Sequence, residues 1–223
     1  MLVPGIDKVT RRLGEEFWRL DQLANNQANA DTPGFQATMS GLRAGKLEQW
    51  RDARAGSQTV TERQLDLGLP EGSYLQVKSQ GVTFFTRRGD LKMDQDGFLT
   101  TGSGEQVLDA TGNPIKIEKM DSTRIAEDGS VSVDGKSIGR IPRYTVSAVN
   151  EKGGVLFTPA PNADITEDIR PISAGSLERS NVEVADSMAE LVATMNRARV
   201  FQTTASLQDS TVERALREMT GGR

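Results

Sequence analysis

The sequence predicts an α+β fold in which N- and C-terminal helices pair as a coiled-coil-like domain and flank a central antiparallel β domain. Three observations predict it. Apolar residues recur at steps of three and four at both ends of the chain. The middle alternates in short runs broken by glycine turns. Neither end helix has an apolar partner near it in sequence, so the two must pair with each other or with copies of themselves.

The first helix follows from Ile6, Val9, Leu13, Phe17, Leu20, Ala24 and Ala28, which fall on one stripe. Pro4 suits the first turn. Asp31-Thr32-Pro33-Gly34 stops the helix, because proline disfavours helix at the residue before it and glycine accepts turn geometry.

The last helix starts after a cap at Ser180 or Asn181, with Glu183 in its first turn. Val184, Met188, Leu191, Met195, Ala198, Ala205, Val212, Leu216 and Met219 carry its stripe, which Gln202 and Asp209 interrupt. Thr220-Gly221-Gly222-Arg223 ends it.

Between the helices, Tyr74–Val77 and Val82–Arg87 read as strands joined by a turn through Gln80-Gly81. Asp96-Gly97, Thr111-Gly112-Asn113, Asp128-Gly129, Asp134-Gly135 and Lys152-Gly153-Gly154 divide the rest at hairpin-like intervals. Ile115–Ile117, Val131–Val133 and Tyr144–Val149 alternate as half-buried strands do. The expected division is a discontinuous helical domain, 1–36 with 180–223, a connector over 37–61 that is partly helical around Leu42 to Trp50, and a β-rich middle domain with its return segment over 62–179.

Composition narrows the chemistry. The 223 residues contain no histidine and no cysteine, which removes the commonest general base, the commonest metal ligand, thiolate sites and disulfides. Hydrophobic residues make up 36%, a lean core for this length, so part of the apolar surface is expected to find partners on other molecules. A net charge of −4 argues against non-specific attraction to nucleic acid or anionic membrane. No run approaches the roughly 20 apolar residues of a membrane span, and Lys8, Arg11, Arg12, Glu15 and Glu16 break up any secretory-signal pattern. The chain is therefore read as a structural protein and not an enzyme, with no cofactor, catalytic or metal site.

Possible sites fail on inspection. Asp94-Gln95-Asp96-Gly97 resembles a calcium loop, but Lys92 and Ser103 stand where ligands are required. Glycines 97, 102 and 104 lack the strand–glycine–helix order of a phosphate loop. Glu71, Asp90 and Glu105 fall near turns with nothing to pair them, and Arg87 and Arg88 beside Phe84 and Phe85 are a weak nucleic-acid pattern in an acidic chain.

The unusual stretch is Leu20 to Phe35, where Asn25, Asn26 and Asn29 crowd one helical turn beside Ala24, Ala28 and Ala30. Asparagine is a mediocre helix former, so a packing surface shared between subunits accounts for it better than a frayed end does.

This stretch resembles the flagellar basal-body rod and hook family, in which a motif close to Leu-Asp-x-x-Ala-Asn-Asn-x-Ala-Asn-x-x-Thr-Pro-Gly-Phe closes the first helix. Leu20, Asn25, Asn26, Ala28, Asn29, Thr32, Pro33, Gly34 and Phe35 match it; Gln27 and Asp31 depart from the usual residues. Leu65–Gly68 with Tyr74–Val77 resembles the opening strand pair of that family's β domain. Thr86, Arg87, Gly89 and then Gly97 resemble its hairpin motif, with Leu91 replacing the usual phenylalanine. Gly175, Leu177, Glu178, Ser180, Asn181 and Val182 resemble its entry to the last helix, on which Met188, Leu191 and Met195 follow.

The resemblance is strongest to the proximal rod type and next to the distal rod type. It implies a subunit of the periplasmic rod of the bacterial flagellum, exported by the flagellar type III apparatus without a cleaved signal peptide. Its implied partners are other copies of itself, other axial proteins of rod and hook, and the export apparatus, with no nucleic acid and no direct membrane span. A distal rod or hook-like subunit is the alternative within the class; a monomeric periplasmic β-domain binding module is the alternative outside it.

Overall fold

The computed structural model describes residues 4–43 and 46–220. The expected helix ending through Gly221 lies outside the described residues, as do the side chains of the stripe positions Ile6, Val212, Leu216 and Met219. Two α-helices, α1 (Pro4–Ala28) and α2 (Val184–Thr220), bracket a long series of short strands. The chain divides into two compact units. One holds α1, Thr38–Trp50 and α2; the other holds Asn29–Ala37 and Arg51–Val182.

In the helical unit the segment read as a partly helical connector is instead a two-stranded β hairpin, Thr38–Arg43 with Lys46–Arg51. Gly41 permits it, since a Cβ there would stand 2.9 Å from the Trp50 ring. The hairpin is tied to α1 by amides. Asn26 accepts from the Thr38 N–H at 2.9 Å and donates to the Thr38 carbonyl at 2.8 Å, so one side chain imitates a neighbouring strand. Gln22 donates to the same carbonyl at 2.5 Å.

These contacts correct the coiled-coil-like pairing expected of the end helices. A coiled coil needs large apolar side chains interlocked along a seam. On α2 the expected seam residues Met188 and Met195 are 50% and 56% exposed, while the buried positions are Thr194 and the small Ala198. On α1 Phe17 is exposed, and the buried positions of its last turns are Leu23 and the two amides Gln22 and Asn26. Apart from Leu23, the described helix residues that are buried are polar or small, and α1 gives Gln22 and Asn26 to a β strand. An Arg197–Glu16 hydrogen bond at 3.1 Å joins the helices at a polar point. The architecture is two terminal helices with a large antiparallel β unit.

The β unit centres on Ser73–Ser79, whose alternating Leu75 and Val77 are fully buried. It pairs on one side with Val82–Thr86 through a two-residue turn in which Gln80 and Gly81 both take positive φ, the geometry that matches strand twist. On its other side it pairs with Arg143–Val146 and with Gln106–Val107. From these neighbours the sheet extends outward to Leu156–Pro159 and Val149–Glu151 at one edge, and to Leu99–Thr101 and Leu91–Met93 at the other. Ile115 and Ile117, read as a strand, are buried; Pro114 and Lys116 beside them form isolated bridges, while the Ile115 N–H donates to the Val107 carbonyl at 3.0 Å and the Ile117 N–H to the Gly97 carbonyl at 2.7 Å. The core collects Leu65, Leu67, Leu69, Leu75, Leu91, Leu99, Val131 and Ile141; a separate aromatic cluster packs Tyr74 edge-on to Phe157 at 5.6 Å and Phe85 edge-on to Tyr144 at 5.9 Å.

Among the described residues four turns share one geometry: 94–98, 101–105, 109–113 and 126–130. In each, the first N–H donates to the fifth carbonyl at 2.8–2.9 Å, and the fourth residue is a glycine with φ between +82° and +101°. Asp94 caps its turn by accepting from the N–H groups of Asp96 (3.0 Å) and Phe98 (2.8 Å). The carboxylate that resembled a calcium ligand is thus spent on its own backbone.

Candidate functional site

The sequence motifs that lie far apart along the chain converge in the β unit on one buried ion pair. Arg87 directly follows the Val82–Thr86 strand, and Glu178 ends the strand Ser176–Glu178, which pairs with Gln58–Val60. Their side chains meet as a two-pronged pair, Nε to Oε1 at 3.3 Å and a terminal nitrogen to Oε2. The side chains are 0% and 2% exposed. The other terminal nitrogen of Arg87 donates to the carbonyls of Ser73 (2.6 Å) and Pro70 (3.3 Å), and Glu178 Oε1 also accepts from the Gly56 N–H at 3.1 Å. A buried charge pair survives only when its remaining donors and acceptors are filled this way.

The Thr32-Pro33-Gly34-Phe35 turn docks on this pair. Gly34 has φ +67° and its N–H donates to the Glu178 carbonyl at 3.0 Å, while an added Cβ would stand 2.5 Å from the Arg87 carbonyl oxygen. Phe35 is fully buried. Asn181 completes the knot: its carbonyl oxygen accepts from the Ala37 N–H at 2.6 Å, and its amide donates to the carbonyls of Asp52 (3.1 Å) and Arg54 (2.8 Å). Gly89 is buried against the Leu67 backbone, where a Cβ has no room.

The remaining expected residues are placed as follows. Leu20 is half-buried on α1, Asn25 exposed, Asn26 buried on Thr38, and Ala28 the exposed last residue of α1. Asn29, Thr32 and Pro33 are half-buried, and Thr32 donates through its N–H to the Asn29 carbonyl at 3.0 Å. Thr86 is buried and donates to the Val155 carbonyl at 2.8 Å. Gly97 is a turn glycine outside the knot. Gly175, with φ +71°, accepts the Thr61 N–H at 2.6 Å. Leu177, Ser180, Val182 and Leu191 are half-buried, and Met188 and Met195 are exposed.

Two features of the β unit lay outside the sequence reading. Gly56, in the polar connector, approaches the Arg179 backbone so closely that no side chain fits. Asp168, buried, accepts from Ser73 Oγ and from the Arg170 guanidinium at 2.7–3.1 Å. The Arg170 hydrogen bonds hold its carboxyl below the usual carboxylate range, with further lowering from Ser73 and the Arg170 N–H against the opposing effect of burial. No local pattern marks either residue.

Chemically the arrangement is a latch. Its nitrogens and oxygens are used up by one another, and among the described residues no group of three or more acidic side chains is placed to hold a metal ion. Among the described residues no helix is long and apolar enough to cross a membrane.

Residues 71–133, the heart of the β unit, match the family described as the flagellar hook protein FlgE/F/G D1 domain. The likeness is to a domain of flagellar hook- and rod-type proteins. Over longer spans the chain is 28% identical to the flagellar basal-body rod protein FlgF of Mesorhizobium japonicum across 86% of this chain and 87% of that one. It is 29% identical to FlgF of Caulobacter vibrioides across 87% of each, and 26% identical to the rod protein FlgG of Bacillus subtilis across 78% of this chain and 83% of that one. Over most of its length the chain is thus similar to flagellar basal-body rod proteins, those named FlgF and FlgG among them.

Proposed function

We propose that the chain is a structural subunit of the bacterial flagellar basal-body rod, and not an enzyme. The observation that carries this is likeness to FlgF rod proteins across 86–87% of this chain and 87% of each of those relatives. The rod would lie in the periplasm, and the subunit would reach it through the flagellar export apparatus without a cleaved signal peptide. There it would contact its own copies and other axial proteins.

On this reading the 1–36 and 180–223 segments serve polymerisation, and the β-rich 62–179 segment is the folded body that the latch closes. The exposed stripe Val184, Met188, Val192 and Met195 on α2 supports such contacts, because solvated apolar side chains at helical spacing mark a surface that another molecule covers. The test is complementation. A flagellate bacterium lacking its own FlgF-type gene should regain swimming when this chain is supplied from a closely matched host. Failure to restore swimming despite normal expression and secretion would contradict the assignment. The similarity to FlgG supports a distal-rod position as the second reading, and it predicts rescue of an FlgG-type deletion instead.

A further inference from the structure

Two arginines are fully buried in the β unit, and they are treated differently. Arg87 spends its donors on Glu178 and two carbonyls. Arg143 is 2% exposed, yet its Nε and one terminal nitrogen find no hydrogen-bond partner among the described residues. A guanidinium that gives up water without gaining bonds is costly to bury.

A carboxylate stands across the sheet from it. Where Arg143–Val146 pairs with Ile165–Glu167, Tyr144 faces Glu167, and the Asp168 N–H donates to the Arg143 carbonyl at 2.7 Å. Asp168 and Arg143 are therefore opposite each other on neighbouring segments, where side chains share a face. Burial pushes the Arg143 guanidinium down from its ordinary value, and the Asp168 charge is the foremost influence against that. The carboxylate is nevertheless spent elsewhere. It accepts from Ser73 Oγ, and from Nε and a terminal nitrogen of Arg170 at 2.7–3.1 Å. Arg170 reaches it from the surface, with its side chain 50% exposed. An exposed guanidinium can hydrate and a buried one cannot, so a bond to Asp168 is worth more to Arg143 than to Arg170.

We propose that Asp168 is an exchangeable partner, held by Arg170 in the arrangement described and passed to Arg143 when Arg170 swings into solvent. Gly129 borders the buried guanidinium, and a Cβ there would stand 2.9 Å from its terminal nitrogen, so the missing side chain leaves it room. The exchange lets Arg170 leave without stranding either buried charge, and it presents a bare guanidinium at the surface. It is a property of the single chain and goes beyond the rod reading.

Urea unfolding of wild type, Arg143→Met, Arg170→Ala and the double variant tests it. Arg143→Met alone should leave the midpoint close to wild type, because the charge it removes bonds nothing. In the Arg170→Ala chain the same change should lower the midpoint clearly, because Arg143 has by then taken Asp168. An equal shift in both backgrounds, whether large or nil, overturns the proposal. The Asp168 carboxyl titration followed by NMR reads the exchange directly. Asp128, Arg140 and Glu167 act on Arg143, and Glu71 acts on Arg170; all four remain in every variant. The carboxyl should stay below the usual carboxylate range in Arg170→Ala and rise only in the double variant. A full rise in Arg170→Ala alone would show that Arg143 never takes over.

Discussion

Arg87 and Glu178, 91 residues apart in sequence, form a buried two-pronged ion pair on which the Gly34 turn and the Gly56 backbone both close. The pair joins the start of the β unit to its return segment, and its geometry makes the consequences of breaking it asymmetric. Arg87→Ala or Glu178→Ala leaves one desolvated charge behind and should cost about 3–5 kcal/mol. Arg87→Met with Glu178→Leu should cost much less than the sum of the two single changes. Near-ultraviolet tyrosine dichroism during urea unfolding reads this unit, because both tyrosines, Tyr74 and Tyr144, lie in it.

Gly34 and Gly81 separate two causes of glycine dependence. Both have positive φ, but only at Gly34 does an added Cβ meet backbone, the Arg87 carbonyl. Gly81→Ala should cost about 1–2 kcal/mol from the left-handed conformation alone. Gly34→Ala should cost clearly more, and equal losses in urea midpoint would show that the turn does not press on the latch.

Asp168 gives a pH dependence of known sign. Its carboxyl is held below the usual range, chiefly by the Arg170 side-chain hydrogen bonds, so the folded state binds its proton more weakly than the unfolded chain. The stability it contributes is complete above the unfolded carboxylate value of about 4 and is lost as pH falls toward the depressed folded value. The difference in unfolding free energy between wild type and Asp168→Asn should therefore shrink steadily below about pH 4. A difference that stays constant or grows on acidification would remove the Arg170–Asp168 clamp from the account.

Asn26 is the test for the helical unit. Asn26→Ala removes both bonds to Thr38 and strands a buried N–H, at a cost of about 1–3 kcal/mol. Both tryptophans, Trp18 and Trp50, lie in that unit, so tryptophan fluorescence should report the loss while tyrosine dichroism stays unchanged.

The exposed face of α2 predicts the opposite pattern. Met188→Glu and Met195→Glu should leave fluorescence-monitored unfolding within about 0.5 kcal/mol of wild type, since both side chains are half-exposed or more. Swimming should nevertheless be lost in complementation.

What the sequence shows plainly is what local chemistry decides. Pro4 and the stripe to Ala28 mark α1 to its last residue, and Gln80-Gly81 marks its hairpin. The Thr38–Arg51 hairpin escapes because Met39, Leu42, Leu47 and Trp50 do not alternate and no β-branched run marks it. Its Thr38 end is held by Asn26 and Gln22, more than ten residues away. The coiled-coil expectation failed for a related reason: periodicity puts Met188, Met195 and Ala198 on one stripe but does not say which of them is covered, and of these only the small Ala198 is buried, beside the off-stripe Thr194. The motif residues were visible one by one. That Gly34, Arg87, Glu178 and Asn181 are one latch was not, because pairing across 91 and 144 residues leaves no local pattern.

The central claim is that this chain is a structural part of the rod, and imaging tests it most directly. Basal bodies isolated from a rescued strain and solved by electron cryomicroscopy should show density for this chain in the rod, with the β unit fitted around the Arg87–Glu178 latch. Complete rods without the chain, recovered from cells that express and export it, would contradict the account.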